Sequence, residues 1–279
     1  MEAFYVNFEV PRVGKIPVFV RRWGCGPKVL FVHGWMNTSL RWHCLAPYLA
    51  SQYEVWAMDL PGFGQTPPIP LYYTTLEIYS EIVAKLIERI SEGEVLHGLV
   101  GHSMGGVLSL LLLKQSSIVA NRIVASGTPV TGVYYLRPLA NHPRIVSTCL
   151  RITQGLAVAL RRLAAKNINL GFRSRSRRIP KANPKSPREA YAPTAATLLK
   201  WICNCNLLND FQPPLSGTSQ HVLIMRGQHD PFNSHEDSVQ LAEALGGIFH
   251  EFRGVYHAPL IEQPENSYPI LRQFLEHGN

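Results

Sequence analysis

The pentapeptide Gly101-His102-Ser103-Met104-Gly105 constrains this chain more than any other stretch. It lies between a strand-like run, "EVLHGLV" (94–100), and a helix-like run, "VLSLLLLK" (107–114). A serine flanked two residues away on each side by glycine fits a sharp, strained turn from strand to helix, where the neighbouring positions have no room for side chains. Such a turn projects the serine Oγ above the sheet and aims the first amides of the helix at the same point, where they can stabilise a developing oxyanion. Two glycines around a serine also arise by chance. The strand before and the helix after are what favour the functional reading.

The rest of the chain repeats the strand–helix alternation. Residues 3–10 and 16–22 alternate in polarity around Pro11 and Gly14 and predict a hairpin. The short apolar runs 28–34, 53–59, 121–127, 221–227 and 248–254 predict buried strands. Helices are expected from about Ser39, over 75–91 and near 234–245. In the second, Leu76, Tyr79, Ile82, Val83, Leu86 and Ile90 share one face, and Thr74 with Glu77 forms a capping box in front of it. The pattern predicts an α/β fold with a mostly parallel central sheet flanked by helices. The alternation lapses between residues 131 and 215. We read 1–130 and 216–279 as the core, and 131–215 as an inserted, largely helical cap with a flexible basic middle, "GFRSRSRRIPKANPKSPREAYAP".

A serine hydroxyl is a weak nucleophile and needs a base, which in turn needs an orienting acid. After an elbow of this kind the partners follow in the order acid, then histidine. Asp230, in "RGQHDPF", follows the strand 221–227; His257, in "GVYHAPL", follows the strand 248–254. Both therefore reach the same sheet edge as Ser103. His229, His235 and His250 compete with His257 but fall at a helix entrance or within a strand, and are read as surface or packing residues. Asp237 is read as part of a helix N-terminus, and Asp59 as a structural strand-end turn. "GTPVTG" (127–132) offers no acid. The oxyanion donors are expected to be the amides of Met104 and of Trp35, the latter at the end of "FVHGW" (31–35). The Trp35 indole either lines the acyl pocket or packs under the cap.

In order along the chain, "VHGW", "MDLPGFG", "GHSMGG", "RGQHDPF" and "HAPLIEQPE" resemble the alpha/beta-hydrolase fold serine esterases over roughly residues 15–130 and 218–279. Within them the chain is most similar to the pimeloyl-[acyl-carrier-protein] methyl ester esterases of biotin synthesis. That resemblance implies cleavage of a methyl ester from a carrier-bound acyl chain, with cap arginines holding an acidic acyl-carrier protein. The cap itself carries no match, and His102 stands where those enzymes often have Trp.

Charge is distributed to suit such a partner. The 279 residues carry a net +8, yet residues 131–208 hold fourteen Lys and Arg against one acid, Glu189, a net of +13. The remainder is net negative. A surface of this kind steers acidic partners, and Arg173, Arg175, Arg177 and Arg178 are the expected contacts. A coenzyme A thioester, an anionic membrane and a simply solvated loop are the alternatives. Nucleic acid is not expected, because the segment lacks interleaved aromatics.

Five cysteines match no metal or disulfide spacing, so no metal or cofactor is expected and free thiols point to a reducing, cytoplasmic setting. No signal pattern and no apolar run of spanning length is present. The expected activity is carboxylic ester hydrolysis through Ser103, His257 and Asp230. A general small-ester carboxylesterase, an acyl thioesterase and a non-hydrolytic binding protein of the same fold are the rivals.

Overall fold

A computed structural model describes residues 1–115, 120–154, 188–211 and 221–278. Eight strands form one sheet: β1 (Glu2–Val10), β2 (Gly14–Trp23), β3 (Lys28–Val32), β4 (Glu54–Met58), β5 (Leu96–His102), β6 (Ala120–Ser126), β7 (His221–Gly227) and β8 (Ile248–Phe252). Their spatial order is β1-β2-β4-β3-β5-β6-β7-β8. β1 and β2 are the predicted hairpin, and β2 runs antiparallel to β4; every later pairing is parallel.

The continuous apolar runs of these strands are resolved by the pleat. Successive side chains point to opposite faces, and each face has its own core. In β3, Leu30 and Val32 join one core while Val29 and Phe31 join the other; β4 divides Trp56 and Met58 from Val55 and Ala57 in the same way. A strand covered on both sides has no polar face to show, which is why these segments carry no alternation in the sequence.

The helices in chain order are α1 (Leu45–Leu49), α2 (Leu76–Ser91), α3 (Met104–Gln115), α4 (Arg137–Ala140), α5 (143–154), α6 (Arg188–Asn204), α7 (Leu207–Asp210), α8 (His235–Ala244), α9 (Pro259–Glu262) and α10 (Pro264–His277). α2 buries the six predicted residues together with Ile78 and Ile87. Its cap differs from the expected box: Thr75 is the N-cap, its side chain accepting from the Ile78 amide at 3.3 Å. Thr74 has the same side-chain type one residue early, but it lies in the preceding turn with its hydroxyl 3.5 Å from the Pro70 carbonyl.

Between β6 and β7, after an irregular stretch at 127–133 and a 3-10 turn at Tyr134–Leu136, the described residues form helices α4 to α7. Residues 188–193, "REAYAP", were expected in the flexible middle because of their proline and charges, yet they open α6, a helix of 17 residues with Pro193 inside it. Ala192, Thr194, Ala195, Ala196, Leu198 and Leu199 of α6 are buried, and the small side chains let the helix lie close to the core. Burial against the core outweighs the cost of a proline in a helix. The rest of the expected cap, residues 155–187 and 212–215, lies outside the described residues.

Candidate active site

β5 ends at His102, α3 starts at Met104, and Ser103 occupies the turn with φ 54°, in the left-handed region that non-glycine residues rarely adopt. The surroundings hold it there. The Ser103 amide donates to the Ser126 carbonyl at 2.9 Å, and the Ser103 carbonyl accepts from the Gly106 and Val107 amides at 2.9 and 3.1 Å. A Cβ on Gly101 would overlap the Gly105 carbonyl, and one on Gly105 would overlap the Val32 carbonyl. The two glycines are therefore steric requirements of the turn.

Asp230 follows β7 and His257 follows β8, so parallel pairing in register brings both to the edge where Ser103 stands. His257 Nε2 lies 3.0 Å from Ser103 Oγ, and His257 Nδ1 lies 3.0 Å from each Asp230 carboxylate oxygen. A carboxylate only accepts, so Nδ1 carries the proton and Nε2 is free to accept from the serine hydroxyl. The Asp230 side chain is fully buried, while 23 % of the His257 side chain is exposed. The three residues singled out from the sequence thus meet at hydrogen-bonding distance. The competing histidines do not join them: His229 lies beside Tyr256 with the two rings tilted at 47°, His235 pairs with Glu251 at 3.0 Å, and His250 stays within β8.

Around Trp35, a Cβ on Gly34 would lie 3.0 Å from the Ser103 Cβ, so the Gly34–Trp35 peptide sits against the serine. Its orientation is set by its carbonyl. Gly34 O accepts from the Asn37 amide at 3.2 Å and from His33 Nδ1 at 2.8 Å, while His33 Nε2 accepts from the Leu60 amide at 2.9 Å. In a trans peptide the N–H points opposite the carbonyl, so these bonds fix the direction of the Trp35 N–H. Met104 opens α3, where the first amides of a helix have no partner within the helix. The Trp35 indole donates to the Ala195 carbonyl of α6 at 2.8 Å.

Asp59 has the structural part expected of it. Its carboxylate accepts from the Ser39 amide and hydroxyl, both at 2.6 Å, and from the Gln65 amide at 2.9 Å, with Arg21 nearby at 3.7 Å. His102 is buried, with Nδ1 donating to the Ser126 carbonyl at 3.1 Å and its ring 5.0 Å from that of His257. Burial, reinforced by the neighbouring His257, holds its pKa well below the usual histidine value. Burial also lowers that of His33. Both rings are neutral supports.

Two contributors escaped the sequence reading. Glu262 grips both amides flanking His257: Oε2 accepts from Tyr256 at 2.8 Å and Oε1 from Ala258 at 2.7 Å. Phe232 places its ring edge-on to His257 at 4.7 Å and donates its amide to Asp230 at 2.9 Å. Glu262 lies five residues after His257, within "HAPLIEQPE", and that spacing is the only signal the sequence offers. Arg173, Arg175, Arg177 and Arg178 lie outside the described residues. Of the basic side chains the structure describes in 131–208, Arg137 is engaged with the Cys203 and Thr131 carbonyls, and Arg144, Arg151 and Lys200 are exposed. Among the described residues no cluster of side chains is suited to hold a metal, and no helix is long and apolar enough to cross a membrane.

The sheet order and the serine elbow define an alpha/beta hydrolase, and residues 29–267 match the alpha/beta hydrolase family, to which the chain belongs. Among curated relatives, it is similar to the pimeloyl-[acyl-carrier protein] methyl ester esterase of Aeromonas hydrophila, 36% identical over 113 residues, covering 40% of this chain and 42% of the relative. The corresponding esterase of Aeromonas salmonicida is 33% identical over the same shares. The chain thus aligns with about two fifths of the length of these relatives. Among solved structures, a thermophilic esterase from Thermogutta terrifontis with malate bound has a TM-score of 0.74 at 20% identity, covering 98% of each chain, a likeness of fold.

Proposed function

We propose that this hydrolase cleaves carboxylic esters through an acyl-enzyme, with Ser103 as nucleophile, His257 as base and Asp230 as orienting acid. The observation that carries the reading is the unbroken relay of 3.0 Å contacts from Ser103 Oγ through the His257 ring to Asp230. Ser103 Oγ attacks the ester carbonyl carbon while its proton passes to His257 Nε2. The carbonyl oxygen, now an oxyanion, takes the amides of Trp35 and Met104. The carbon–oxygen bond to the alcohol then breaks, and the departing alcohol takes the proton from His257. Water repeats the sequence on the acyl-enzyme, giving the acid and restoring the serine. Buried Asp230 stabilises the imidazolium that forms in each half.

For the substrate we infer a methyl ester on a carrier-bound acyl chain, with residues 131–215 acting as the cap. Two observations support this: the activity for which the Aeromonas relatives are named and the +13 charge of residues 131–208, suited to an acidic carrier. Ser103→Ala is expected to lower kcat by at least about 10⁴-fold; turnover at the parental rate would remove Ser103 from the mechanism. The substrate is tested by kcat/KM for a pimeloyl methyl ester on its carrier protein against the same ester free, at low and high salt. A carrier preference that salt erodes supports the acidic partner. Equal, salt-indifferent rates would make this a small-ester hydrolase.

A further inference from the structure

We propose that the Trp35 side chain is a positioning residue that ties the oxyanion-binding peptide to helix α6, so that the seating of α6 sets the catalytic rate. This rests on the serine-hydrolase reading above and assigns the indole a part separate from the backbone amide.

The geometry has three tethers. Two act on the peptide itself, the His33 and Asn37 donors to the Gly34 carbonyl, and both come from residues within three positions of it. The third comes from far along the chain: the indole N–H reaches the Ala195 carbonyl at 2.8 Å, 160 residues away and outside the sheet. Within a helix each carbonyl already faces the amide four residues on. Ala195 O therefore accepts the indole with its second lone pair, and the bond is sensitive to where the helix lies rather than to its folding.

The helix has a seat on the same side. Gly62, at φ 79° in the turn after β4, packs directly on α6: a Cβ there would come within 2.6 Å of Thr194 Cγ2. The Tyr79 hydroxyl holds the Pro61 carbonyl of that turn at 2.6 Å. Thr194 and Ala195 are thus consecutive residues of α6, one against the Gly62 turn and the other bonded to Trp35. The Leu60 amide that fixes His33 belongs to that same turn. Both sides of the contact converge on the Gly34–Trp35 peptide. An acyl group that shifts α6 would consequently pull on the amide that receives the oxyanion. Small displacements there matter, because a donor aimed at a transition-state charge loses its effect with distance.

The discriminating variant replaces Trp35 with benzothienylalanine, in which sulfur stands where the N–H was and ring shape and backbone amide are retained. Trp35→Phe is the second variant, available if the first does not fold. Each is assayed with a short free ester for kcat and KM, and for inhibition by a trifluoromethyl ketone, which adds to the serine as a hemiketal oxyanion. The expected result is a kcat lower by about 10-fold, a part of the loss from deleting a whole donor. KM should stay within about twofold and the ketone should weaken in proportion to kcat, since only the transition state is affected. Wild-type kcat and ketone affinity in the isostere would overturn the proposal. So would a loss confined to KM, which would make the indole merely a wall of the binding site. Failure of the underlying reading looks different: Ser103→Ala would keep its turnover, and the parent protein would not bind the ketone.

Discussion

At Ser103 a single residue carries an unfavourable backbone conformation for the sake of where its oxygen points. The φ of 54° is held by the Ser126 carbonyl on one side and by the clearance of Gly101 and Gly105 on the other. Such strain costs of the order of 1–3 kcal/mol and persists only where the surroundings fix it. His257 is braced by less visible means. Glu262 accepts from the amides on both sides of it, and a carboxylate suits two donors where an amide side chain suits one. Glu262→Gln is therefore expected to turn an N–H donor toward one of those amides and to reduce kcat by about 10-fold. Glu262→Asp, which keeps the charge and shortens the reach, should fall between the two. Steady-state kinetics on the pair checks this; parental kcat in Glu262→Gln would show that the loop holds its shape without the carboxylate. Ser103, Asp230 and His257 were legible because each sits beside a strong local signal, the glycines in one case and a strand end in the others. Glu262 was not, because its partners are main-chain amides, which any sequence contains.

Elements obey the same division. Six of the residues on the buried face of α2 were readable from their spacing, and its N-cap was displaced by one. The capping-box spacing favours Thr74, which has Glu77 three residues on, over Thr75, which has Ile78 there. What overrides it is backbone conformation: Thr75 is extended, at φ −127° and ψ 162°, as an N-cap must be. Thr75→Ala should cost about 1 kcal/mol, roughly 2 °C in Tm for a chain of this size, and Thr74→Ala much less. Thermal melts of the two variants decide it, and the reverse ranking would restore Thr74 as the cap. Helix α6 shows the opposite failure. At its start, residues 188–193 read as part of the flexible middle because of their proline and charges, but Ala192, Ala195 and Ala196 are buried where larger side chains would hold the helix off the core. Tertiary packing there carried the helix through Pro193, the one residue in it strongly set against a helix.

For the whole molecule, burial of two imidazoles links stability to pH. His33 and His102 both have folded pKa values below the histidine value of 6.5, chiefly through burial. Below about 6.5 the unfolded chain binds protons that the folded chain refuses, so stability is fully present above that pH and declines as the solution is acidified. Tm is expected to fall on going from pH 7.5 to about 5, and His102→Gln should flatten the decline; an equally steep loss in that variant would place the acid sensitivity elsewhere. The strand order along the chain, the elbow and the excess of positive charge in residues 131–208 were all determined by the sequence, because hydrophobic runs, glycine spacing and charge are local properties that need no neighbour to exist. Only the tertiary structure decided which carboxylate braces His257, which carbonyl receives the Trp35 indole and which side of the sheet each strand residue faces. The Trp35 contact depends on groups brought together from 160 residues apart, and Glu262 grips backbone donors that every residue carries alike until folding selects among them.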